Sequence, residues 1–293
     1  MTVTMIRWSL ALALVATTGC GGSSATPAAS GCVRAAVLTT GPGDVSSYFP
    51  AGVGATWDFT IDGGGGAVTR SVTGTQPAGS ETAAVFSSTT SASTSLELVV
   101  KRPGGVYVLA NASVDPLLAG VYPSLVLPFP VAVMPAIHQA SCTNLDVGDA
   151  DGDGKPDRAD LTSTLRVISI NETATIAAGN FINVAHVQTD VTMTVRATAA
   201  GSLTVQGTED DWYAPGVGLV VSRMVLTIPG YGSESQAMSL ASYTIPSPAM
   251  APTDAPASLV APGARAHRAL PGGQGHRASV EEAVLDAVRH LDR

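Results

Sequence analysis

Lysine is almost missing from this chain: Lys101 and Lys155 are its two lysines in 293 residues. Charged residues of all kinds make up 13%, about half the share of an average soluble domain. The surface is therefore built from Ser, Thr, Gly and Asn rather than ion pairs. Net charge is −8, and without clustered Lys and Arg to neutralise phosphates the composition argues against a nucleic-acid partner. Three cysteines are too few for a disulfide-dense scaffold or for a zinc site with four cysteine ligands. No Gly-x-Ser-x-Gly, His-Glu-x-x-His or paired-carboxylate pattern accompanies the histidines, of which His267, His276 and His290 lie in the tail. What is present is apolar: 45% hydrophobic residues, too many for wholesale disorder.

The N-terminus carries Arg7, then the apolar run Leu10–Ala16, and no acid before Asp44. A charged start, a hydrophobic stretch too short to span a membrane and small residues at a cut describe a secretory signal over 1–19. The small residues end in Gly19-Cys20, followed by Gly-Gly-Ser-Ser. This resembles the bacterial lipoprotein signal, whose cysteine becomes the acylated first residue of the mature chain; Thr17 stands where Leu is usual. The resemblance implies lipidation of Cys20 and a membrane reached through that anchor. Residues 20–44 then read as lipidated cysteine and flexible tether. Cys32 and Cys142 remain, and in an oxidising envelope two leftover thiols read as one bridge, the alternative being two buried free thiols.

From 45 to 245 the pattern alternates with period two and is rich in Val, Thr and Ile. Thr56–Ile61, Ala67–Thr73, Ser95–Val100, Gly105–Ala110, Thr162–Ile170, Phe181–Thr189, Val191–Thr198, Ser202–Thr208, Val217–Ile228 and Ala237–Ile245 all read as strands. Glycine clusters and no helical periodicity separate them, which predicts an antiparallel all-β domain. Pro128 and Pro130 break Leu125–Met134, which fits an edge or a crossover. Residues 246–278 hold six prolines among Ala and Gly and read as a disordered linker. Ser279 and Glu282 then form a capping box before Val280, Val284, Val288 and Leu291, a short amphipathic helix over 279–293. Trp57, Phe59, Trp212 and Tyr213 are expected to anchor the core. His186 shares parity with Ile182 and Val184 and is expected on an apolar face, as a core or rim histidine. His138 is placed in a loop.

Three patches carry a family likeness: Tyr48-Phe49-Pro50-Ala51-Gly52-Val53-Gly54-Ala55-Thr56-Trp57, then Ala177–Val184, then Trp212-Tyr213-Ala214-Pro215-Gly216-Val217-Gly218-Leu219-Val220. Together they resemble a family of uncharacterised bacterial envelope lipoproteins, over roughly residues 48–230. That resemblance implies a single curved antiparallel sheet, or open half-barrel, similar to envelope lipoprotein carriers, and no known activity.

One motif carries chemistry. Residues 149–160 place Asp149, Asp151, Asp153, Asp157 and Asp160 at positions 1, 3, 5, 9 and 12 of a loop with Gly154 at position 6. Short acidic side chains at that spacing converge on one calcium ion, and Lys155 at position 7 offers its carbonyl. Asp160 replaces the longer Glu of an EF-hand, Pro156 sits at position 8, and a strand rather than a helix follows. The loop resembles those of dockerin, thrombospondin type 3 and integrin-like propeller repeats, in a single copy. The expectation is a structural calcium site.

The sequence thus predicts a non-enzymatic, lipid-anchored protein of the cell envelope, at the outer membrane, with a structural or binding role. The alternative is a carrier of a lipid or other apolar ligand in the concave face of the sheet. A third and weaker reading is an envelope hydrolase. An inner face filled by its own side chains favours the first; an open apolar groove of roughly several hundred Å3 favours the second.

Overall fold

Among the described residues, thirteen strands follow one another with almost no helix. The structure, a computed structural model, describes residues 31–34, 45–64, 66–109, 121–149, 153–198, 201–230 and 232–246. The strands are β1 (Gly31–Arg34), β2 (Thr56–Ile61), β3 (Gly66–Ala78), β4 (Glu81–Thr89), β5 (Thr94–Arg102), β6 (Gly105–Leu109) and β7 (Ser124–Pro128). After them come β8 (Met134–Gly148), β9 (Asp157–Ile176), β10 (Gly179–Ala197), β11 (Gly201–Ala214), β12 (Gly218–Ile228) and β13 (Gly232–Thr244). A single helical turn, α1 (Val45–Tyr48), precedes β2. The signal, Cys20, the tether apart from 31–34, the linker beyond 246 and the C-terminal helix lie outside the described residues.

All thirteen form one antiparallel sheet in the order β1-β8-β9-β10-β11-β12-β13-β2-β3-β4-β5-β6-β7. Most neighbours are joined by tight hairpins, and β13 beside β2 stitches the two halves together. β7 and β8 follow each other in sequence, separated by Phe129–Val133 alone, yet β7 forms one end of that order and β8 lies at the other, inside β1 alone. Such a linker reaches about 20 Å at full extension, so the sheet must roll until its two ends approach. They meet through a side chain rather than a ladder: Leu125 N–H (2.9 Å) and Ser124 Oγ (3.2 Å) both donate to Gln139 Oε1. The result is a rolled, open sheet, as the family resemblance implied.

Alternation decides which residues line its inside. Along β9 the odd residues from Asp157 to Val167 are buried, and the even ones face out. The inner face holds two apolar clusters. One gathers Phe49, Trp57, Phe59, Phe86, Leu165, Val187, Tyr213 and Leu219; the other gathers Ala140, Cys142, Leu161, Met193, Val195 and Val205. Cys32 and Cys142 sit directly opposite in the β1–β8 ladder and are bridged, with sulfurs 2.09 Å apart. The bridge expected from the sequence is therefore formed, and it draws Gly31–Arg34, read as tether, into the sheet. His138 lies in strand β8, not in a loop.

The registers also fix two ends. Gly31 pairs with Thr143, Gly148 with Asp157 and Ala197 with Gly201, so the chain enters the sheet at the end that carries the acid-rich turn. The Ala214–Gly218 turn and the start of β2 at Thr56 lie at the other end.

Candidate functional site

The acid-rich turn is part ordered by its own backbone. Asp149 accepts from Gly154 N–H (2.8 Å), and Gly154 adopts φ +82°, which L side chains disfavour. Asp153 accepts from Lys155 N–H (2.8 Å) and Thr198 Oγ (2.7 Å). The Thr198 bond, with that of the Lys155 amide, holds the Asp153 carboxyl below the usual carboxylate range. Asp157 is fully buried on the inner face and accepts from Thr198 N–H at 2.8 Å. Asp160 is an odd number of residues away along the same strand, so it points to the opposite face. There Arg196 pairs with it and Asn144 N–H donates to it at 2.9 Å, which together lower its pKa. The structure brings Asp149 and Asp153 to one turn; Asp160 is not brought to them. Asp151 lies outside the described residues. Among the described residues, no three His, Cys, Asp or Glu groups converge as a metal centre.

A second feature is a small cleft of about 20 Å3, at the end away from Gly31. Phe49, Trp57, Phe59, Phe86 and Leu219 line it, and Arg70 forms part of its wall. Arg70 is 9% exposed, its guanidinium lies 4.7 Å over the Phe86 ring, and Nη2 donates to Glu97 at 2.6 Å. Its Nε has no hydrogen-bond partner. The space fits a water molecule more readily than a lipid.

The third feature is one that no spacing in the sequence announced. His186 lies on the polar outer face, contrary to the expectation from Ile182 and Val184. Register shifts between Phe181 and Val187 break the alternation: Val184 and Ala185 are both buried, Ile182 is 68% exposed, and His186 turns outward. Its ring is held from both sides. Nε2 lies 2.8 Å from Asp210 Oδ1 on β11, and Nδ1 lies 3.2 Å from Glu172 Oε1 on β9. Trp212 stacks on the imidazole with centroids 4.3 Å apart and donates its indole N–H to Glu172 (2.7 Å). Ser169 donates to the same carboxylate at 2.7 Å, and Gln188 donates to Asp210 at 2.8 Å. Tyr213 reaches the core as expected, while Trp212, its neighbour on the strand, is partly buried, packing at the edge of the main apolar cluster and stacking on His186.

Burial alone would push His186 down. The Asp210 hydrogen bond and the charges of both carboxylates outweigh it and raise its pKa above the ordinary value. Burial likewise pushes Glu172 and Asp210 up, but hydrogen bonds and the His186 charge leave both below the usual range. Both ring nitrogens are occupied by carboxylates, and the Ser169 hydroxyl is turned to Glu172. The cluster holds one imidazole between carboxylates from two other strands, and the Ser169 hydroxyl beside it is spent on Glu172 rather than on the ring. Glu172, His186 and Asp210 lie 14 and 24 residues apart, so only strand register could have joined them.

No protein-family model matches this chain, and no curated protein matches it. Two solved structures are similar to it: a protein described as exported, with a YmcC-like fold, from Bacteroides fragilis, and one described as a lipoprotein from Parabacteroides distasonis. Each is 15% identical with a TM-score of 0.36, covering 68% of this chain and 99% of the other. Likeness at that level assigns neither family nor function.

Proposed function

We propose that this chain is a non-enzymatic, lipid-anchored protein of the cell envelope, with a structural or partner-binding role. The observation that carries the reading is the inner face of the sheet, where the side chains of the described residues pack into two apolar clusters. The cleft, at about 20 Å3, falls far below the roughly 300–1,000 Å3 of ordinary small-molecule sites, which weighs against its being the seat of a lipid carrier. The engaged ring of His186 weighs against a hydrolase. The anchor is Cys20: the ten residues Gly21–Ser30 separate it from β1, a reach of at most about 40 Å. Cys20→Ser should move the protein from the membrane fraction to the soluble one. A wild-type chain found unacylated by mass spectrometry, with the Ser variant still in the membrane fraction, refutes the anchor.

We further infer a structural calcium ion at the turn, held by Asp149, Asp151, Asp153 and the Lys155 carbonyl. Asp157 is buried on the inner face and Asp160 is turned to Arg196 on the opposite face, so this shell leaves both out. A shell closed partly by water belongs to the weak extracellular class, with Kd on the order of 10⁻⁴–10⁻³ M. Calorimetric titration with millimolar calcium should give heat that Asp149→Ala and Asp153→Ala abolish and Asp160→Ala leaves in place. Absence of heat from the intact protein at about tenfold that range would remove the metal from the proposal.

A further inference from the structure

The hairpin from Ile168 to Val184 is an arm. β9 has its last β8 partner at Val167, and β10 has its first β11 partner at Ala185. Between those points the two strands pair only with each other. A lone two-stranded hairpin is marginal in water, so its order must come from what it rests on. It folds over the open end of the sheet. Ala178 N–H donates to the Leu240 carbonyl on β13 (3.2 Å), Tyr48 donates its hydroxyl to the Asn183 carbonyl (3.0 Å), and Phe181 meets Tyr243 with ring centroids 6.2 Å apart. Ala174, Ile176, Ala178 and Phe181 pack on the main apolar cluster beneath.

The root of this arm is irregular. Register shifts occur at Phe181/Val184, Val184/His186 and His186/Val187, and Asn183 takes the left-handed φ of 55°. A bulged segment is where a strand pair can bend without breaking the ladder on either side. At that hinge His186 joins the two parts: Glu172 belongs to the arm, and Asp210 belongs to the body.

We propose that the β9–β10 arm is a pH-sensitive strap over the open end of the sheet, latched by the His186 ring between Glu172 and Asp210. With the ring protonated, one cation bridges two carboxylates across the hinge. With the ring neutral, one nitrogen has no proton to give, and two carboxylates face each other with one hydrogen bond between them and the ring. The groups that face the latch are Ser169, Glu172 and Arg166 from β9, Gln188 and Asp190 from β10, Asp210 and Trp212 from β11, and Arg223 from β12. Arg166 is turned to Gln188 and Asp190, and Arg223 lies across from Asp210, so neither replaces the imidazolium cation between the carboxylates. The folded pKa of His186 is raised. Its contribution is therefore complete below the unfolded value of about 6.5 and is lost as pH rises through the folded value. The carboxylates are lowered, so their share is lost only on acidification through their folded values. Release at alkaline pH uncovers the face of Ala174, Ile176 and Phe181 and frees Tyr48, whose neighbours Phe49 and Pro50 wall the aromatic cleft.

The test is amide hydrogen exchange of the wild-type protein, corrected for intrinsic rate, from pH 6 to 9 (chosen to bracket the titration of a histidine whose pKa is raised), with His186 followed by NMR in the same samples. Protection of Thr173–Asn183 should fall several-fold as the ring deprotonates, with the same midpoint, while Met193–Val195 in the body stays protected. His186→Gln should leave the arm weakly protected and indifferent to pH over that range. Arm protection that holds constant through the His186 titration overturns the strap. So does a His186→Gln protein that keeps the wild-type pH profile. If the variant does not fold, the wild-type midpoints decide alone.

Discussion

Trp57→Ala is expected to cost about 3–5 kcal/mol of stability. Trp57 is 4% exposed, stacked on Phe86 with centroids 6.0 Å apart, and its indole N–H donates to the Val217 carbonyl at 2.6 Å. That bond crosses 160 residues of chain and ties β2 to the turn between β11 and β12. The turn is tight: Gly218 has φ +95°, and a Cβ there would lie 3.3 Å from the Pro50 ring. Truncation removes the ring stack, leaves the carbonyl without its donor and enlarges a cleft that the indole already walls. Trp57→Phe keeps most of the packing and loses the bond, and should cost about 1–3 kcal/mol, the range for an orphaned buried group. Urea unfolding measures both. A loss below about 1 kcal/mol for the Ala variant would show that the two halves of the sheet are held together by something other than this contact.

The second large effect belongs to the bridge. Cys32 and Cys142 are 110 residues apart, and Cys142 is buried in the second apolar cluster. Closing a loop of about that length removes on the order of 4–5 kcal/mol of chain entropy from the unfolded state, and native bridges of this kind contribute about 2–5 kcal/mol. The double variant Cys32→Ser, Cys142→Ser should lose that amount in equilibrium unfolding, and its β1 amides should exchange first. β1 is four residues long with one neighbour, so its ladder alone cannot hold it. Identical midpoints with and without reductant would refute this contribution.

Much of the fold is legible because alternation and turn chemistry agree. Thr56–Ile61 is read to the residue, and the broken Leu125–Met134 is the edge strand and crossover that its prolines require. β4, Glu81–Thr89, is missed because two alanines and a run of Ser and Thr blur its alternation. β8 is missed because Pro135 and several register shifts interrupt it. β10 is read as two strands because Asp190 falls in its middle, where it faces solvent and accepts from Thr208. The acid-rich turn is visible as a motif, but nothing in its spacing reveals that Arg196 claims Asp160 across the sheet. The His186 cluster is invisible for a different reason. A bulge adds a residue without a sequence signature, and one residue is enough to exchange the faces of a strand.

The bridge also decides how the molecule bears load. Tension applied through residues preceding Gly31 would meet a four-residue edge ladder, which opens one hydrogen bond at a time like a zip. Cys32 lies one residue into that ladder and is joined covalently to Cys142. A pull therefore bypasses β1 and passes into β8, whose partner β9 is the longest strand in the sheet, at 20 residues. There it meets a ladder several times longer than that of β1. One covalent link thus turns the weakest edge of the sheet into its mooring point.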